Sequence, residues 1–283
     1  MAVRVSRSSI ARDISDLGVN KGDVLFVRAD LAKIGTIISD KRNDYLCGIL
    51  DVIGDIGTLV TAAFTPSSFV YLDKNYIFDG TNKPYTGALA NLMLQDSRAI
   101  RSHHPTNSFV AIGKNAEYIL DNHDENNGAY DPVKKIIELG GKNVIIGCVN
   151  SSPGLTSVHL AEIELGLHRR IILPTLNKVL YRKNGTIRVF KRKDIGSCSS
   201  AFYKFYAHYV YEEILKQGFI GNAYSIMVDA KKAYEIDLKV LKNNPRITIC
   251  NDPACFLCQA RRWDNLENIP KYVARYLYRK LFK

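Results

Sequence analysis

The sequence predicts an α/β fold in a single domain, and three observations support this prediction. Short apolar, β-branched segments alternate with amphipathic helical patterns through the amino-terminal half of the chain. A length of 283 residues with 46% hydrophobic residues allows one sizeable core. The chain shows neither a linker-like composition nor an internal repeat. We therefore expect one domain over residues 1–283.

The predicted elements follow one another in the alternating order of such folds. Strands are expected at residues 24–28, 58–64, 108–112 and 143–148. Helices are expected at residues 8–17, 45–53, 116–122 and 132–139. Further on, two strand-like pieces flank Asn184-Gly185, a favoured hairpin turn, and helical patterns cover residues 201–217 and 229–243.

Composition and charge limit the classes of function. The formal net charge of +11 favours anionic partners, such as a phosphorylated cofactor, a nucleotide-linked substrate, nucleic acid or an anionic membrane surface. No apolar run approaches the roughly 20 residues of a membrane span. Six cysteines without a signal-peptide pattern indicate reduced thiols, so a cytoplasmic location is expected. The sequence lacks a recognition helix and paired zinc fingers, so no nucleic-acid partner is expected.

The segment from Asn143 to Glu162 carries the most informative pattern. An apolar, β-branched strand ends at Gly147, and Thr156 stands where the next helix would begin. His159 then lies in the first turn of that helix, with Glu162 on the same face. Open α/β sheets place their sites at such strand ends. The structural alternative is a capping box, in which Thr156 bonds inward and His159 is a buried, satisfied residue.

Seven segments of the chain, taken in order, carry a family resemblance. They are residues 17–19, 22–27, 57–60 with 63–65, 86–89, 101–105, 108–113 and 156–162. In this order and spacing they resemble the aminoglycoside 3-N-acetyltransferase family. The resemblance covers most of the chain and implies a single α/β domain whose central mixed sheet is flanked by helices. It also implies an acyl-CoA-dependent N-acetyltransferase that moves an acetyl group from its co-substrate, acetyl-CoA, to an amine of an amino sugar.

Acetyl transfer to an amine needs a base, because such amines are mostly protonated at neutral pH. His159 is the natural candidate. The resemblance implies that Asp194, some thirty residues later, is the acid that orients it; Glu162 is the rival, although its position suits binding of the substrate amine. Thr156 resembles a family hydroxyl near the thioester, where it would stabilise the developing oxyanion.

Coenzyme A requires a channel for its pantetheine arm and cations for its phosphates. The family has a His-Ser-Ser-Leu type of loop after the first strand, and this chain departs from it. We expect the cofactor to contact this loop and a second cationic cluster, that is, Arg28, Asp30, Leu31 and Lys33 together with Arg101, Ser102 and His104. The departure leaves a catalytically inactive protein on this fold as an alternative.

The acceptor is expected to bind beneath a long loop at residues 66–85, which reads as an aromatic lid. Tyr71, Asp73, Asp79 and Glu162 are the predicted acceptor-binding residues. The lid is nearly neutral, and the basic run at residues 182–193 would favour an anionic acceptor. We therefore expect a nucleotide-linked amino sugar of surface-glycan biosynthesis; the alternatives are an aminoglycoside antibiotic as acceptor and a basic run that is only a solvated face.

The carboxyl-terminal region adds two features. Cys250, Cys255 and Cys258 form a C-x4-C-x2-C pattern. No metal is expected, because a packed group of reduced thiols explains the pattern; zinc is the alternative if Cys198 or a histidine supplies a fourth ligand. The final helix alternates an apolar stripe with a basic ridge, which indicates either packing on the domain or peripheral contact with an anionic membrane. A homo-oligomer is also compatible with the sequence.

Overall fold

The computed structural model describes residues 3–69, 72–170, 177–194, 196, 198–255, 258 and 268–282. The strands are β1 (Arg4–Val5), β2 (Val24–Ala29), β3 (Thr36–Ile37), β4 (Thr58–Ala62), β5 (Ser68–Phe69), β6 (Ile77–Phe78), β7 (Ile100–Arg101), β8 (Phe109–Gly113), β9 (Lys142–Ile146), β10 (Asn177–Lys183), β11 (Thr186–Lys191), β12 (Leu215–Ile220) and β13 (Ala223–Asp229). The helices are α1 (Arg7–Asp16), α2 (Asp44–Ile53), α3 (Ala88–Met93), α4 (Ala116–Leu120), α5 (Asp131–Glu138), α6 (Ser157–Glu164), α7 (Tyr206–Tyr211), α8 (Ala230–Asn243) and α9 (Asn268–Phe282).

A mixed sheet forms the centre of the fold, as expected. Within the described residues it has seven strands in the order β12-β13-β9-β2-β4-β8-β7. The three middle strands β9, β2 and β4 run parallel, and antiparallel strands flank them on both sides. The parallel strands therefore share one carboxyl edge, which is where an α/β sheet can bring distant loops together.

Helices cover both faces of this sheet because its strands alternate their side chains. Leu25, Val27 and Leu59 pack with α1, α2 and α3 on one face. Val24, Phe26 and Val60 pack with α4, α5, Leu160 and Ala230 on the other. The near-continuous apolar sequence of β2 and β4 is thus explained by burial on both faces.

Two short parts of the segment 66–85 join a second, smaller sheet. β10 and β11 form the expected hairpin, and Asn184 and Gly185 both have positive φ values, 50° and 75°. β5 and β6 pair with β10. Phe78 is buried against Val179 and Tyr181 from the hairpin. The predicted lid therefore contributes β5 and β6 to this sheet, and Phe78 packs within it, whereas Tyr85 is exposed and lines the cleft described below.

The helix predicted at residues 201–217 is confirmed only as far as Tyr211. A 3-10 helix spans Ser199–Phe205, α7 ends at Tyr211, and the chain then turns into strand β12. Glu213 takes a positive φ of 54° at this turn. β12 and β13 form an antiparallel hairpin, and β13 pairs with β9. The sequence pattern missed both strands. β13 enters the central sheet by pairing with β9, which is distant along the chain, and β12 pairs with β13 in turn.

A separate cluster of buried side chains surrounds the amino-terminal end of α6. Asp237 on α8 is fully buried and accepts hydrogen bonds from Ser157, at 2.6 Å, and from the Tyr209 hydroxyl. The surrounding side chains include Val158, Phe202 and Phe205. This polar contact fixes the helix that carries His159 to two other helices.

The expected carboxyl-terminal helix is present as α9. Its apolar stripe is solvent-exposed, since Val273, Leu277 and Leu281 are 43%, 50% and 74% exposed. Arg279 pairs with Asp252 at 2.8 Å. Among the helices in the described ranges, none has the length and hydropathy needed to cross a membrane.

Candidate active site

A cleft of about 870 Å³ opens at the shared carboxyl edge of β2, β4 and β9. Arg28 and Ala29 close β2, Ala62 closes β4, and Cys148 follows β9, and all four line the cleft. Gly147 turns the chain out of β9 with a φ of 69°. The chain then passes through a loop to Thr156 and His159, which also line the cleft.

Two aromatic rings and one carboxylate contact the imidazole ring of His159. Its Nδ1 lies 3.2 Å from Oε2 of Glu162, which is one helical turn away and fully buried. Tyr130 stacks on the ring at 5.1 Å between centroids, and Phe202 meets it edge-on at 4.7 Å. When Nδ1 donates its proton to Glu162, Nε2 is the ring nitrogen that can accept one.

Asp194 does not contact His159, contrary to the expectation for the catalytic acid. Its Oδ2 accepts a hydrogen bond from the backbone N–H of Ala129 at 2.6 Å, and its Oδ1 accepts one from Nε of Arg192 at 3.2 Å. Both carboxylate oxygens are thus engaged away from the imidazole. Glu162 takes the position of the orienting acid because the helical three-residue offset brings it directly to Nδ1. A direct role for Glu162 in binding the acceptor does not fit its complete burial.

Thr156 stands at the N-cap position of α6, as expected, but it does not form the capping box. Its backbone is helical, and its side chain makes no capping hydrogen bond. It is 7% exposed and lines the cleft. The structural alternative for this residue is therefore wrong, and its hydroxyl remains available to a ligand.

The loop after β2 contributes three of its four predicted residues to the cleft. Arg28, Asp30 and Leu31 line it. The Arg28 guanidinium donates to the carbonyl oxygens of Ser152 and Gly154, which braces the loop before α6. Lys33 points elsewhere, because its Nζ donates to the Gly147 carbonyl oxygen at 2.8 Å.

The second predicted cofactor-binding cluster is structural. Nη1 and Nη2 of Arg101 donate to carbonyl oxygens of Gly80, Asn82 and Ala63. The Ser102 hydroxyl accepts from the backbone N–H of Phe109. None of Arg101, Ser102 and His104 is among the residues that line the cleft.

His104 is fully buried in this cluster and is aimed at the backbone. Its Nδ1 accepts from the backbone N–H of Asn107 at 2.9 Å. Burial, followed by the charge of neighbouring His123, lowers the pKa of His104 well below its usual value. Burial favours the neutral imidazole, and His104 does not reach the cleft, so the sequence prediction that it contacts the cofactor does not fit the structure.

The predicted acceptor-binding carboxylates are turn residues. Asp73 accepts from the backbone N–H of Asn75, and Asp79 accepts from that of Thr81. Both are exposed, and neither lines the cleft. Tyr71 lies outside the described residues.

Most of the basic run at residues 182–193 is solvated or paired away from the cleft. Lys183 contacts Asp124 and Glu125 at 2.9 and 2.6 Å, and Arg188 is exposed on the hairpin. Of this run, Arg192 lines the cleft, and its charge is paired with Asp194. The electrostatic argument for an anionic acceptor therefore fails.

Sequence reasoning missed several residues that line the cleft. One wall comes from the segment after β2, with Thr36, Asp40, Arg42 and Tyr45. Others are Asn107, Tyr130 and Phe202. Arg42 is exposed, and within the described ranges the structure gives it no ion-pair partner. The group of charged residues at 40–44 was the available signal, but only the fold shows that this segment reaches the site.

Comparison with known proteins supplies the family. A family model described as aminoglycoside 3-N-acetyltransferase matches residues 26–242. The chain belongs to this family. Aminoglycoside N(3)-acetyltransferase III from Salmonella sp. is 26% identical over 263 residues, which cover 80% of this chain and 87% of the relative. Aminoglycoside N(3)-acetyltransferase IX from Micromonospora chalcea is 27% identical over 216 residues, which cover 70% and 75%.

Solved structures of aminoglycoside acetyltransferases share the fold. A variant of aminoglycoside acetyltransferase AAC(3)-IVa in complex with a gentamicin aligns with a TM-score of 0.78 at 22% identity, over 93% of this chain and 98% of that one. AAC-IIIb in its binary complex with CoASH gives a TM-score of 0.70 at 22% identity, over 85% and 97%. The predicted α/β fold and the predicted family are confirmed. So is an acyl-CoA-dependent N-acetyltransferase with acetyl-CoA as co-substrate, at the level of the family.

Proposed function

We propose that this protein transfers the acetyl group of acetyl-CoA to an amine of an aminoglycoside, with His159 as general base and residues 1–283 as one acyltransferase domain. The observation that carries the proposal is the buried Glu162 at 3.2 Å from Nδ1 of a histidine whose ring faces the cleft. Such an acid fixes the imidazole tautomer and stabilises the imidazolium that forms when the base takes a proton.

An acceptor that starts as an ammonium first gives up one proton to the solvent. Nε2 of His159 then removes a second proton, from the amine nitrogen as it attacks. The amine nitrogen bonds to the carbonyl carbon of the thioester, and the carbon–sulfur bond breaks. The proton held by His159 then neutralises the departing thiolate. Thr156, whose side chain is not used as a cap, is the hydroxyl placed to donate to the oxyanion.

The co-substrate end of the cleft is assigned to the loop after β2 and the wall beyond it. Ala29, Asp30 and Leu31 line the channel assigned to the pantetheine arm. Arg42 supplies an exposed cation for a phosphate. This assignment replaces the cluster at Arg101, Ser102 and His104.

The acceptor is assigned to the aminoglycoside class rather than to the nucleotide-linked sugars. The relatives named above are aminoglycoside N(3)-acetyltransferases, and the solved neighbour holds a gentamicin. In this chain the cleft carries Asp30 and Asp40, and Arg192 is paired with Asp194. Because Arg192 is paired and the unpaired Arg42 is assigned to the co-substrate end, the basic run no longer argues against a polycationic acceptor.

A substrate screen tests the proposal. Release of free thiol from acetyl-CoA is measured with gentamicin-like aminoglycosides, nucleotide amino sugars and water alone. Aminoglycosides should be acetylated at least tenfold faster than nucleotide amino sugars, and His159→Ala should lower turnover by about 10²- to 10⁴-fold while the variant still binds coenzyme A. Faster turnover of the nucleotide sugars, or a His159→Ala variant with more than half of normal turnover, would contradict it.

The remaining partner assignments stay predictions. They are a cytoplasmic location, no nucleic-acid partner, peripheral contact with an anionic membrane through α9, and a homo-oligomer. The exposed apolar stripe of α9 supports such a contact without identifying what covers it.

A further inference from the structure

Four cysteines meet behind the 3-10 helix that forms part of the cleft wall. The Sγ atoms of Cys198, Cys250, Cys255 and Cys258 all lie within 4.8 Å of one another. Cys198 immediately precedes the 3-10 helix, whereas the other three come from a segment about 50 to 60 residues later. Sγ of Cys198 is 3.2 Å from Sγ of Cys258, which is too long for a disulfide bond of about 2.05 Å.

We propose that these four cysteines bind one zinc ion. Tetrahedral zinc at about 2.3 Å from four sulfurs separates neighbouring sulfurs by about 3.8 Å. The distances in this group, from 3.2 Å for one pair to at most 4.8 Å, bracket that value. The metal therefore fits after sulfur movements of less than about 1 Å, with no rearrangement of the backbone.

The chemistry of the group selects zinc over harder cations. Four thiolates are soft ligands, and in the described residues no carboxylate or histidine joins the group that could hold a metal. Cys255 and Cys258 form the two-residue knuckle that wraps a tetrahedral ion from one side. A site with four cysteine ligands has no open position, so the zinc is structural and takes no part in acetyl transfer.

The surroundings stabilise thiolate ligands. The backbone N–H of Cys250 points at Sγ of Cys258 with a nitrogen–sulfur distance of 3.3 Å. Nζ of Lys204 donates to the carbonyl oxygen of Ile249, one residue before Cys250, which brings a positive charge close to the group. Donors and cations of this kind offset the net negative charge of four thiolates around one Zn²⁺.

Three of the four ligands come from the chain beyond α8. The family model ends at residue 242, so these ligands lie beyond the matched segment. The fourth ligand, Cys198, lies between Gly196 and Phe202, which both pack against His159. Zinc would thus fasten the chain beyond α8 to the wall that holds the base.

Metal analysis of the full-length protein, purified under reducing conditions from zinc-supplemented medium, tests the proposal without reference to activity. We expect about one zinc per chain and an X-ray absorption spectrum with four sulfurs at about 2.3 Å. Cobalt substitution should give an intense sulfur-to-metal charge-transfer band. Cys258→Ser should lower the zinc content at least tenfold, whereas Cys255→His should retain zinc with three sulfurs and one nitrogen. Cys47→Ser, on α2, is the matched control and should keep full zinc content.

The opposite results would overturn the zinc site. A zinc content below about a tenth of an ion per chain, with all six thiols reacting with a disulfide reagent after denaturation in a chelator-free buffer, would identify a packed thiol group. Zinc retained in both Cys258→Ser and Cys198→Ser would place the ion elsewhere. If the serine variants do not fold, the absorption spectrum of the unmodified protein decides, since it reports the ligands directly.

Discussion

Gly196 lies so close to His159 that a Cβ atom added to it would stand 2.5 Å from Nδ1 of the ring. The same atom would stand 2.8 Å from Oε2 of Glu162. The backbone after β11 thus fills the space beside the His159 ring. A side chain at residue 196 would overlap with His159 and with Glu162.

Gly196→Ala should lower kcat by about 10- to 100-fold, because a shift of the base by about 1 Å costs this much in a positioned reaction. The KM for acetyl-CoA should change little, since Gly196 faces the histidine. Steady-state kinetics and a thermal melt measure both effects. Gly218→Ala is the matched control, because its added Cβ would meet Leu17 at 3.4 Å, an ordinary contact. Unchanged kcat in Gly196→Ala would show that the ring has room to move.

Glu162→Gln should lower kcat by about 10²-fold or more with little change in the KM for acetyl-CoA, because the amide does not fix the tautomer or stabilise the imidazolium. Asp194→Asn should act mainly on stability, since it weakens the pair with buried Arg192 and the bond to Ala129, at a cost of about 1–3 kcal/mol. Kinetics and denaturant unfolding separate the two effects. The roles are reversed if the loss of turnover without loss of stability occurs in Asp194→Asn.

Asp237 predicts a pH dependence of stability. Burial raises the pKa of Asp237 from 3.8 to about 7, so the folded chain keeps this carboxyl protonated where the unfolded chain has lost the proton. The stabilisation is complete below pH 3.8 and is lost as the pH rises through about 7, by up to about 4 kcal/mol at about 1.36 kcal/mol per pKa unit.

Asp237→Asn imitates the protonated acid and should remove most of this dependence. Unfolding in urea at pH 5 and pH 8 should show a smaller difference for the variant than for the unchanged protein. The exposed Asp16→Asn is the control and should leave the difference unchanged. An equal decline in both proteins would mean that Asp237 ionises normally in the fold.

Arg42→Ala should raise the KM for acetyl-CoA several-fold and leave kcat nearly unchanged, since a phosphate contact far from the reacting atoms contributes equally to ground and transition states. The effect should shrink with added salt. Arg188→Ala, on the exposed hairpin, serves as control. A larger effect of Arg188→Ala would show that the cofactor contacts the exposed hairpin instead of Arg42.

Charge reversal at Arg188 and Lys191 should leave acceptor kinetics within about twofold, because both side chains are exposed on β11 and neither lines the cleft. The measurement is kcat/KM with an aminoglycoside at low and high salt. A clear gain with the aminoglycoside and a matching loss with a nucleotide amino sugar would show that the hairpin steers the acceptor.

The strands that build the cleft floor could be predicted because their pattern is local. The structure places strands at Val24–Ala29, Thr58–Ala62, Phe109–Gly113 and Lys142–Ile146, each close to the segment expected. The position of His159 follows from the same kind of signal, a strand end and a helix start in sequence. A buried apolar strand can be predicted from the hydrophobic pattern of its own residues.

The sequence could not identify the acid that contacts His159, since it is compatible with either Asp194 or Glu162. The choice depends on Arg192 and the Ala129 backbone, which capture Asp194. Likewise, the sequence offers Cys198 or a histidine as the fourth member of the thiol group, and only the fold selects Cys198, because some fifty residues separate it from Cys250. Contacts between distant segments arise from tertiary packing and produce no periodic pattern in the local sequence.

The short pairing of β1 with β3 has a consequence for limited proteolysis. Arg4 and Val5 pair with Thr36 and Ile37, and the backbone N–H of Thr36 and of Ile38 donates to Val3 and Val5. β3 begins the wall that carries Asp40 and Arg42. A protease that trims the chain up to Ser6 would remove the strand that holds β3 within the described residues. Loss of a few residues at the amino-terminal end would therefore loosen one wall of the cleft.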